Sequence, residues 1–321
     1  MNTIRTPFLA LPDSYKIYNL TNVEHFVDPS KQIMIIPLES STSTTTPYQS
    51  LMTPLSSTSS YDPLEFVDLT NEDFTVHSIQ GRRLTMEDSY MKIELNNAIF
   101  YGVFDGHGGS GTVRWIEKNL NDIFVNNFKN VDYDNTQLVS NKLKRTIVDA
   151  DHLLFEKHAD ESGSTVTGAL VTSNYVYLVN LGDSRTIYFD YDHLYNITID
   201  HKPNCASELE RIIRLKGFVR TNGVPRLMGV IAVSRSLGDF GFKDTDKLGD
   251  DNLMSCIPEI FVHRKVPNSK ILLASDGLWD VIQTEDVVEL VNNGYTCELL
   301  VEHAHDLWST DNITVMIVDV K

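Results

Sequence analysis

The chain has 321 residues, enough for one large domain or two ordinary ones with a sizeable buried core. Acidic side chains outnumber basic ones 44 to 27, a net charge of −17 that disfavours nucleic acid and anionic membrane as main partners, since both demand positive patches. Cys205, Cys256 and Cys297 are an odd number with no C-x-x-C pair, which argues against a disulfide framework or a zinc site. With no 18-residue apolar run and an N-terminal apolar segment broken by Pro12, the expected location is cytoplasm or nucleus.

Residues 1–71 read as an extension. KQIMIIPL (31–38) can form a strand, but residues 39–63 are a Ser/Thr/Pro-rich tract with almost nothing to bury, expected to be a flexible linker, with regulation through phosphorylated hydroxyls as the second reading. The globular domain is expected over residues 72–321. Phe74 and Val76 alternate with Thr75 and His77 as in a strand, and the block GRRLTMEDSYMKIEL follows. The run AIFYGVF (98–104) predicts a buried strand that delivers Asp105 to a sheet rim, followed by the glycine-rich turn GHGGSG. Val113, Ile116, Leu120 and Phe124 then recur at helical spacing, and Leu143, Ile147, Ala150 and Leu154 mark a second helix over Thr136–His158.

From Ser164 the period changes to two, with turns at Ser173-Asn174, Gly182-Asp183 and Asp190–His193, which predicts an antiparallel meander. Ser207-x-x-Glu210 reads as a capping box opening a helix to Lys216, with Gly217 as its stop. Gly223, Pro225 and Gly229 predict a loop. KILLAS (270–275) is a buried strand ending at Asp276; short helices are expected at Thr284–Asn292 and Thr296–Leu307, and Ile313–Val318 closes the chain as a strand just after Asp311.

Asp105, Asp276 and Asp311 thus all sit at ends of apolar strands, with Glu87-Asp88 as a fourth acidic point. Carboxylates about 4 Å apart repel by roughly 4 kcal/mol at an effective dielectric near 20, so such a cluster needs cations or protons. An all-oxygen donor set suits Mg²⁺ or Mn²⁺, two of which can share a bridging carboxylate and generate a hydroxide nucleophile.

The ordered blocks GRRLTMEDSY, VFDGHGG, SGSTVTGALV, NLGDSR, DHKP, VSRSLGDF, SDGLWDV and TDNITV resemble the metal-dependent protein serine/threonine phosphatases of the protein phosphatase 2C type, over residues 72–321. The resemblance implies an α+β fold, a central antiparallel β-sandwich flanked by α-helices on both faces, with a dinuclear Mg²⁺ or Mn²⁺ centre at one end. It implies hydrolysis of phosphoserine and phosphothreonine in proteins by attack of metal-activated water, without a phosphoenzyme; a monomer is expected. In this reading Asp105 bridges both metals, the Gly106 carbonyl is a ligand of one, and Asp276 and Asp311 are ligands of the other. Glu87 holds a metal through water, with Asp88 beside it as a ligand or a hydrogen-bond acceptor behind one. Arg83 grips the substrate phosphate, Arg82 is a solvated neighbour, and His107 is the general acid. Asp183 and Asp280, with Asp276, hold a weaker third metal.

The chain departs from the family pattern at SGTVRW after the glycine turn, at Ser236 where alanine is common, at STDN where a Gly-Ser approach is usual, and in a short segment between Asp276 and Asp311. Pro203–Val233 corresponds to the variable flap beside the active site. Rival patterns are weaker: G-x-G-x-x-G at Gly106–Gly111 would aim Asp105 at a pyrophosphate, Cys205-x5-Arg211 encloses two glutamates, and Asp132-Tyr-Asp134 follows a polar segment. The alternative of a different class is a catalytically inactive phosphoprotein-binding or scaffold member, which predicts loss of a metal acid; Asp105, Asp276 and Asp311 are all present.

Overall fold

The structure, a computed structural model, describes residues 36–37, 67–70, 73–157, 160–244 and 252–321. The Ser/Thr/Pro-rich tract at 39–63 and its expected flexibility lie outside the described residues. The order begins β1 (Ile36–Pro37), β2 (Val67–Thr70), β3 (Phe74–Ile79), β4 (Asp88–Leu95) and β5 (Ala98–His107). Helices α1 (Gly111–Asn127) and α2 (Thr136–Lys157) precede β6 (Gly163–Ser164), β7 (Val166–Thr172), β8 (Tyr175–Leu181), β9 (Arg185–Phe189) and β10 (His193–Ile197). Then come α3 (Ala206–Arg214), β11 (Val219–Asn222), β12 (Val224–Leu227), β13 (Leu237–Gly238), β14 (Glu259–Arg264) and β15 (Ser269–Ala274). Helices α4 (Asp276–Trp279), α5 (Thr284–Asn292) and α6 (Cys297–Asp306) lead to β16 (Ile313–Val320).

Two antiparallel sheets carry the fold. One runs β1-β10-β9-β15-β16-β3-β2; the other runs β13-β6-β5-β7-β8-β14, with β4 also paired to β5. Alternation along each strand divides its side chains between two layers. Tyr101 and Val103 of β5 meet Ile271 and Leu273 of β15 and Met316 of β16 between the sheets. Phe100 and Phe104 of the same β5 face outward, packed with Ile116, Leu120 and Phe124 of α1 and Leu143 and Ile147 of α2. On the opposite side Leu272, Ala274, Val315 and Ile317 pack with Leu278 of α4, Val287 of α5 and Leu300 of α6. The result is an α-β-β-α stack whose helical faces are those the 3.6-residue spacing marked.

Several local expectations are corrected. The period-two run is not one meander: β7 and β8 pair, but after Gly182-Asp183 the chain crosses to the other sheet, where β9 lies between β10 and β15. Periodicity reports a buried strand, not its sheet. The Ser207–Glu210 capping box does not form, because the helix starts earlier, with Cys205 as N-cap and no side-chain cap bond. The left-handed residue that stops α3 is Lys216 (φ 64°), not Gly217. Its N–H reaches the Ile213 carbonyl while Gly217 N–H reaches that of Ile212. Glycine at 217 serves packing: a Cβ there would lie 2.5 Å from the Leu253 side chain. The expected loop at 223–229 begins as a hairpin, β11 pairing β12 around Gly223. Upstream of residue 72, β2 pairs with β3 and β1 with β10, so the sheet reaches into the segment assigned to the extension. β14 escaped notice because Ile260, Phe261 and Val262 are contiguous and half-buried on a sheet edge, without a clean alternation.

Glu208 on α3 fastens the segment after the flap. Its carboxylate accepts from Arg235 (2.6 Å), Arg211 (2.8 Å) and the Ser234 hydroxyl (2.8 Å), and it is buried. This disposes of the Cys205-x5-Arg211 pattern, since Arg211 is committed to a carboxylate. Burial alone would raise the Glu208 pKa, but the Arg235 and Arg211 guanidiniums and Ser234 bring it from 4.5 down to about 2. The unfolded chain therefore binds more protons between those values, and about 3 kcal/mol of stability, fully present above pH 4.5, is lost as pH falls through about 2. Replacing Glu208 by Ala, which strips the buried Arg211 and the partly buried Arg235 of their carboxylate, should destabilise by about 3–5 kcal/mol in denaturant titration at pH 7; a loss under about 1 kcal/mol would contradict this role.

Candidate active site

The acids come from both sheets. In the β4–β5 register Asp88 lies opposite Asp105 at the open end of one sheet. In the other, β15 ends at Ala274, paired with Val315 of β16, so that Ser275-Asp276 and Asp311-Asn312 emerge side by side. Hydrogen bonds join the two sets. The Asp276 N–H points to the Asp105 carboxylate (3.4 Å), and the Ser275 and Thr314 hydroxyls donate to Asp88 Oδ2 at 2.7 and 2.8 Å. Asp105 is set by its own backbone, its N–H donating to Thr165 Oγ1 and its carbonyl accepting from Thr165 N–H.

Asn312 staples the RRLTMED loop over this edge. Its Oδ1 accepts from Glu87 N–H (2.8 Å), and its Nδ2 donates to the Gln80 and Thr85 carbonyls (2.7 and 2.9 Å). Gly106 permits the close approach: a Cβ there would sit 2.5 Å from the Glu87 carbonyl oxygen and 2.6 Å from Val113. The Glu87 carboxylate accepts from Gly109 N–H (3.1 Å) and the Thr85 hydroxyl (2.8 Å), so it faces the glycine turn.

The electrostatic consequence is that the central carboxylates hold their protons more tightly. Burial raises the Asp105 pKa well above the ordinary carboxylate value, and Asp276, Asp88, Asp183 and Asp311 raise it further. Asp276 is raised likewise, first by burial, then by Asp183, Asp280 and Asp311, with Lys202 opposing. Burial pushes Asp88 up to about 7 against the pull of its Ser275 and Thr314 hydrogen bonds. Among the described residues no three His, Cys, Asp or Glu side chains converge on a single metal-binding point; the carboxylates share one field while standing apart, as like charges do.

Cationic groups border the acids on two sides. Arg83 Nη2 contacts Asp311 Oδ2 at 2.5 Å and Nε donates to the Thr310 carbonyl (3.2 Å), with the side chain more than half exposed. Arg82 turns the other way. It donates to the His305 and Ser309 carbonyls (2.9 and 2.8 Å) and lies 4.7 Å over the Trp308 ring, so it is a fixed group, exposed but not merely solvated. Trp308 follows α6 in a left-handed conformation (φ 66°), which costs a non-glycine residue about 1–2 kcal/mol. On the far side Lys202 ion-pairs with Asp183 and faces Asp276 and Asp280; burial would lower its pKa, but those carboxylates raise it. His201 orients that turn by accepting from Gly182 N–H at Nδ1 (3.1 Å).

His107 Nε2 lies 2.7 Å from Asp239 Oδ2, and the Ser236 hydroxyl donates to the same oxygen at 2.5 Å. Burial would lower the His107 pKa, but Asp239, with Asp183 and Glu87 beyond it, raises it above the usual imidazole value. Lys202, His201 and Asp239 lie in the blocks DHKP and VSRSLGDF, but the resemblance assigned no role to these three. The available signal was their type: charged or imidazole residues inside blocks already set beside an acid cluster. β5 pairs antiparallel with β4, β6 and β7, which removes the dinucleotide-loop reading of Gly106–Gly111.

Comparison with known proteins gives a consistent picture. The family description "Protein phosphatase 2C" matches residues 72–313. The chain is 32% identical over 270 residues to protein phosphatase 2C homolog 3 of Schizosaccharomyces pombe, covering 76% of this chain and 64% of that protein. It is 34% identical over 236 residues to protein phosphatase 2C homolog 2 of Saccharomyces cerevisiae (69% and 49%) and 32% identical over 272 residues to bovine protein phosphatase 1L (79% and 74%). It therefore spans less than two thirds of the length of the two yeast relatives. Among solved structures, a phosphatase from Toxoplasma gondii superposes with a TM-score of 0.68 over 79% of this chain and 95% of that one, at 22% identity, a likeness of fold. A Caenorhabditis elegans sex-determining protein superposes with a TM-score of 0.69, again at 22% identity, over 79% of this chain and 66% of that one.

Raised carboxylate pKa values mean that the folded state retains protons the unfolded chain has released. Stability of the metal-free protein should therefore fall as pH rises from 3.8 through about 7. Thermal unfolding in chelator should give a lower midpoint at pH 7.5 than at pH 5, and Asp105→Asn should shrink that difference. A midpoint that climbs across this window would contradict the clustering.

Proposed function

The chain belongs to the protein phosphatase 2C family, whose members are metal-dependent, and on that premise we propose that it hydrolyses phosphoserine and phosphothreonine in proteins at the carboxylate end of its sandwich. The observation that carries the reading is the set of five aspartates, Asp88, Asp105, Asp183, Asp276 and Asp311, whose charges act on one another from two sheets. An all-oxygen donor set of excess negative charge fits two hard divalent cations, Mg²⁺ or Mn²⁺, and a weaker third. Asp105, the Gly106 carbonyl, Asp276 and Asp311 would hold the pair, with Glu87 acting through water. Asp88, tied to Ser275 and Thr314, stands behind them, and Asp183 and Asp280 with Asp276 would take the third. Bound there, the ions would supply a polarised water for attack on phosphorus and neutralise the phosphoryl oxygens.

The chain's own groups then do the following. Arg83, steadied by Asp311 and the Thr310 carbonyl, offers a planar fork to two phosphoryl oxygens. Asp239 favours the imidazolium form of His107, which suits it to carry a proton. With Nε2–H donated to that carboxylate, Nδ1–H is the proton it delivers to the departing seryl or threonyl oxygen. Asp239 fixes the ring, and Ser236 in turn holds Asp239. The acidic exterior supports a phosphoprotein substrate in preference to nucleic acid or membrane. A monomer working in cytoplasm or nucleus completes the proposal.

Phosphate release from a phosphothreonine peptide by the full chain should require Mn²⁺ or Mg²⁺ and vanish with chelator or in Asp276→Asn. Metal-independent turnover, or none with either metal, would overturn the reading. His107→Ala should slow the peptide about 10²-fold or more yet barely affect 4-nitrophenyl phosphate, whose leaving group needs no proton, and Asp239→Asn should show the same split more weakly. Equal losses on both substrates would remove His107 from the acid's role.

A further inference from the structure

Helix α6 ends in a turn where the Trp308 N–H bonds to the His305 carbonyl and the Ser309 N–H to that of Ala304, both at 3.1 Å. This is the position at which glycine adopts the left-handed conformation without penalty, yet a tryptophan occupies it, at φ 66°. The ring contributes little to the core. Trp308 is 75% exposed, whereas Trp115 and Trp279 are buried. Nor is it loose, because Arg82 stacks on it and is itself fixed to the carbonyls of His305 and Ser309. A strained, exposed and immobilised aromatic is a feature that fold stability does not account for. On the same loop as Arg82, Leu84 is 98% exposed, and between them stands Arg83, the group beside Asp311.

We propose that Trp308 and Leu84 dock an aromatic or large aliphatic side chain of the substrate polypeptide close to the phosphorylated residue, so that the enzyme selects phosphoserine and phosphothreonine sites with an apolar neighbour. The inference rests on the phosphatase reading of the Arg83–Asp311 centre, whose Arg83 stands in the chain between Arg82, the partner of Trp308, and Leu84. A fixed indole gives apolar contact on the face Arg82 leaves open at little cost in conformational entropy, and the guanidinium stacked over it suits a segment that is apolar beside a dianionic phosphate. A net charge of −17 argues against an anionic membrane as occupant.

The test uses the full chain with Mn²⁺ and phosphothreonine peptides in an alanine background. A single Phe is moved from three residues before the phosphothreonine to three after it, and 4-nitrophenyl phosphate serves as a substrate without flanks. At one or more positions Phe should raise kcat/KM by up to about 10-fold over the all-alanine peptide, chiefly through KM, the scale of one aromatic contact. In Trp308→Gly that preference should collapse to within about 2-fold while the melting temperature holds or rises, since glycine takes the left-handed turn freely. Leu84→Ala should weaken the same preference. A wild-type enzyme that turns over all peptides equally, or an undiminished preference in Trp308→Gly, overturns the docking surface and leaves the phosphatase reading standing. A lower melting temperature in Trp308→Gly with equal losses on every substrate assigns the ring a structural role and likewise overturns it. No turnover of any substrate overturns the phosphatase reading, and this inference with it.

Discussion

The mutual repulsion of carboxylates at one end of the sandwich is the constraint on which the rest of the structure depends. Asp105 feels Asp276, Asp88, Asp183 and Asp311 at once, and each is delivered by a different strand end or turn. Repulsion of this kind costs several kcal/mol when the charges are desolvated, so nothing local would keep them together. Strands packed on both faces do. Phe100 and Phe104 are locked under α1 and α2, while Tyr101 and Val103 are locked between the sheets, which leaves the end of β5 no freedom to withdraw Asp105.

A ring of neutral donors completes the restraint. Ser275 and Thr314 hold Asp88, Thr165 holds the Asp105 backbone, and Asn312 ties Gln80, Thr85 and Glu87 into one loop. These side chains carry no charge and so position the acids without neutralising them. Cationic groups stand at the rim: Arg83 on Asp311 and Lys202 on Asp183. The protein thus holds a concentration of acidic groups that protons or added cations must balance, an arrangement suited to phosphoryl transfer, in which positioning and charge neutralisation carry most of the catalysis.

Much of this was readable from residue order because the helices and core strands are strongly periodic. Val113, Ile116, Leu120 and Phe124 lie buried on α1 as their spacing required, and the acids at the ends of FYGVF and ILLAS emerge from buried strands. What escaped was of another kind. The sheet to which β9 belongs is decided by partners far away in sequence, and the half-buried edge strand β14 carries no clean period. The Asp239–His107 contact joins residues 132 positions apart, and the strain at Trp308 is a backbone property that its side chain does not announce. The STDN departure from the family's glycine-containing approach lies next to that turn, but nothing was drawn from it.

The proposal on which the function turns is that the clustered aspartates would hold a pair of hard cations shared at Asp105. Counting Mn²⁺ bound per chain, by calorimetry with electron paramagnetic resonance of free Mn²⁺, tests it without reference to turnover. Two saturable ions are predicted in the wild-type chain, with both lost in Asp105→Asn and one retained in Asp311→Asn. Absence of saturable binding, or unchanged stoichiometry in Asp105→Asn, would contradict it.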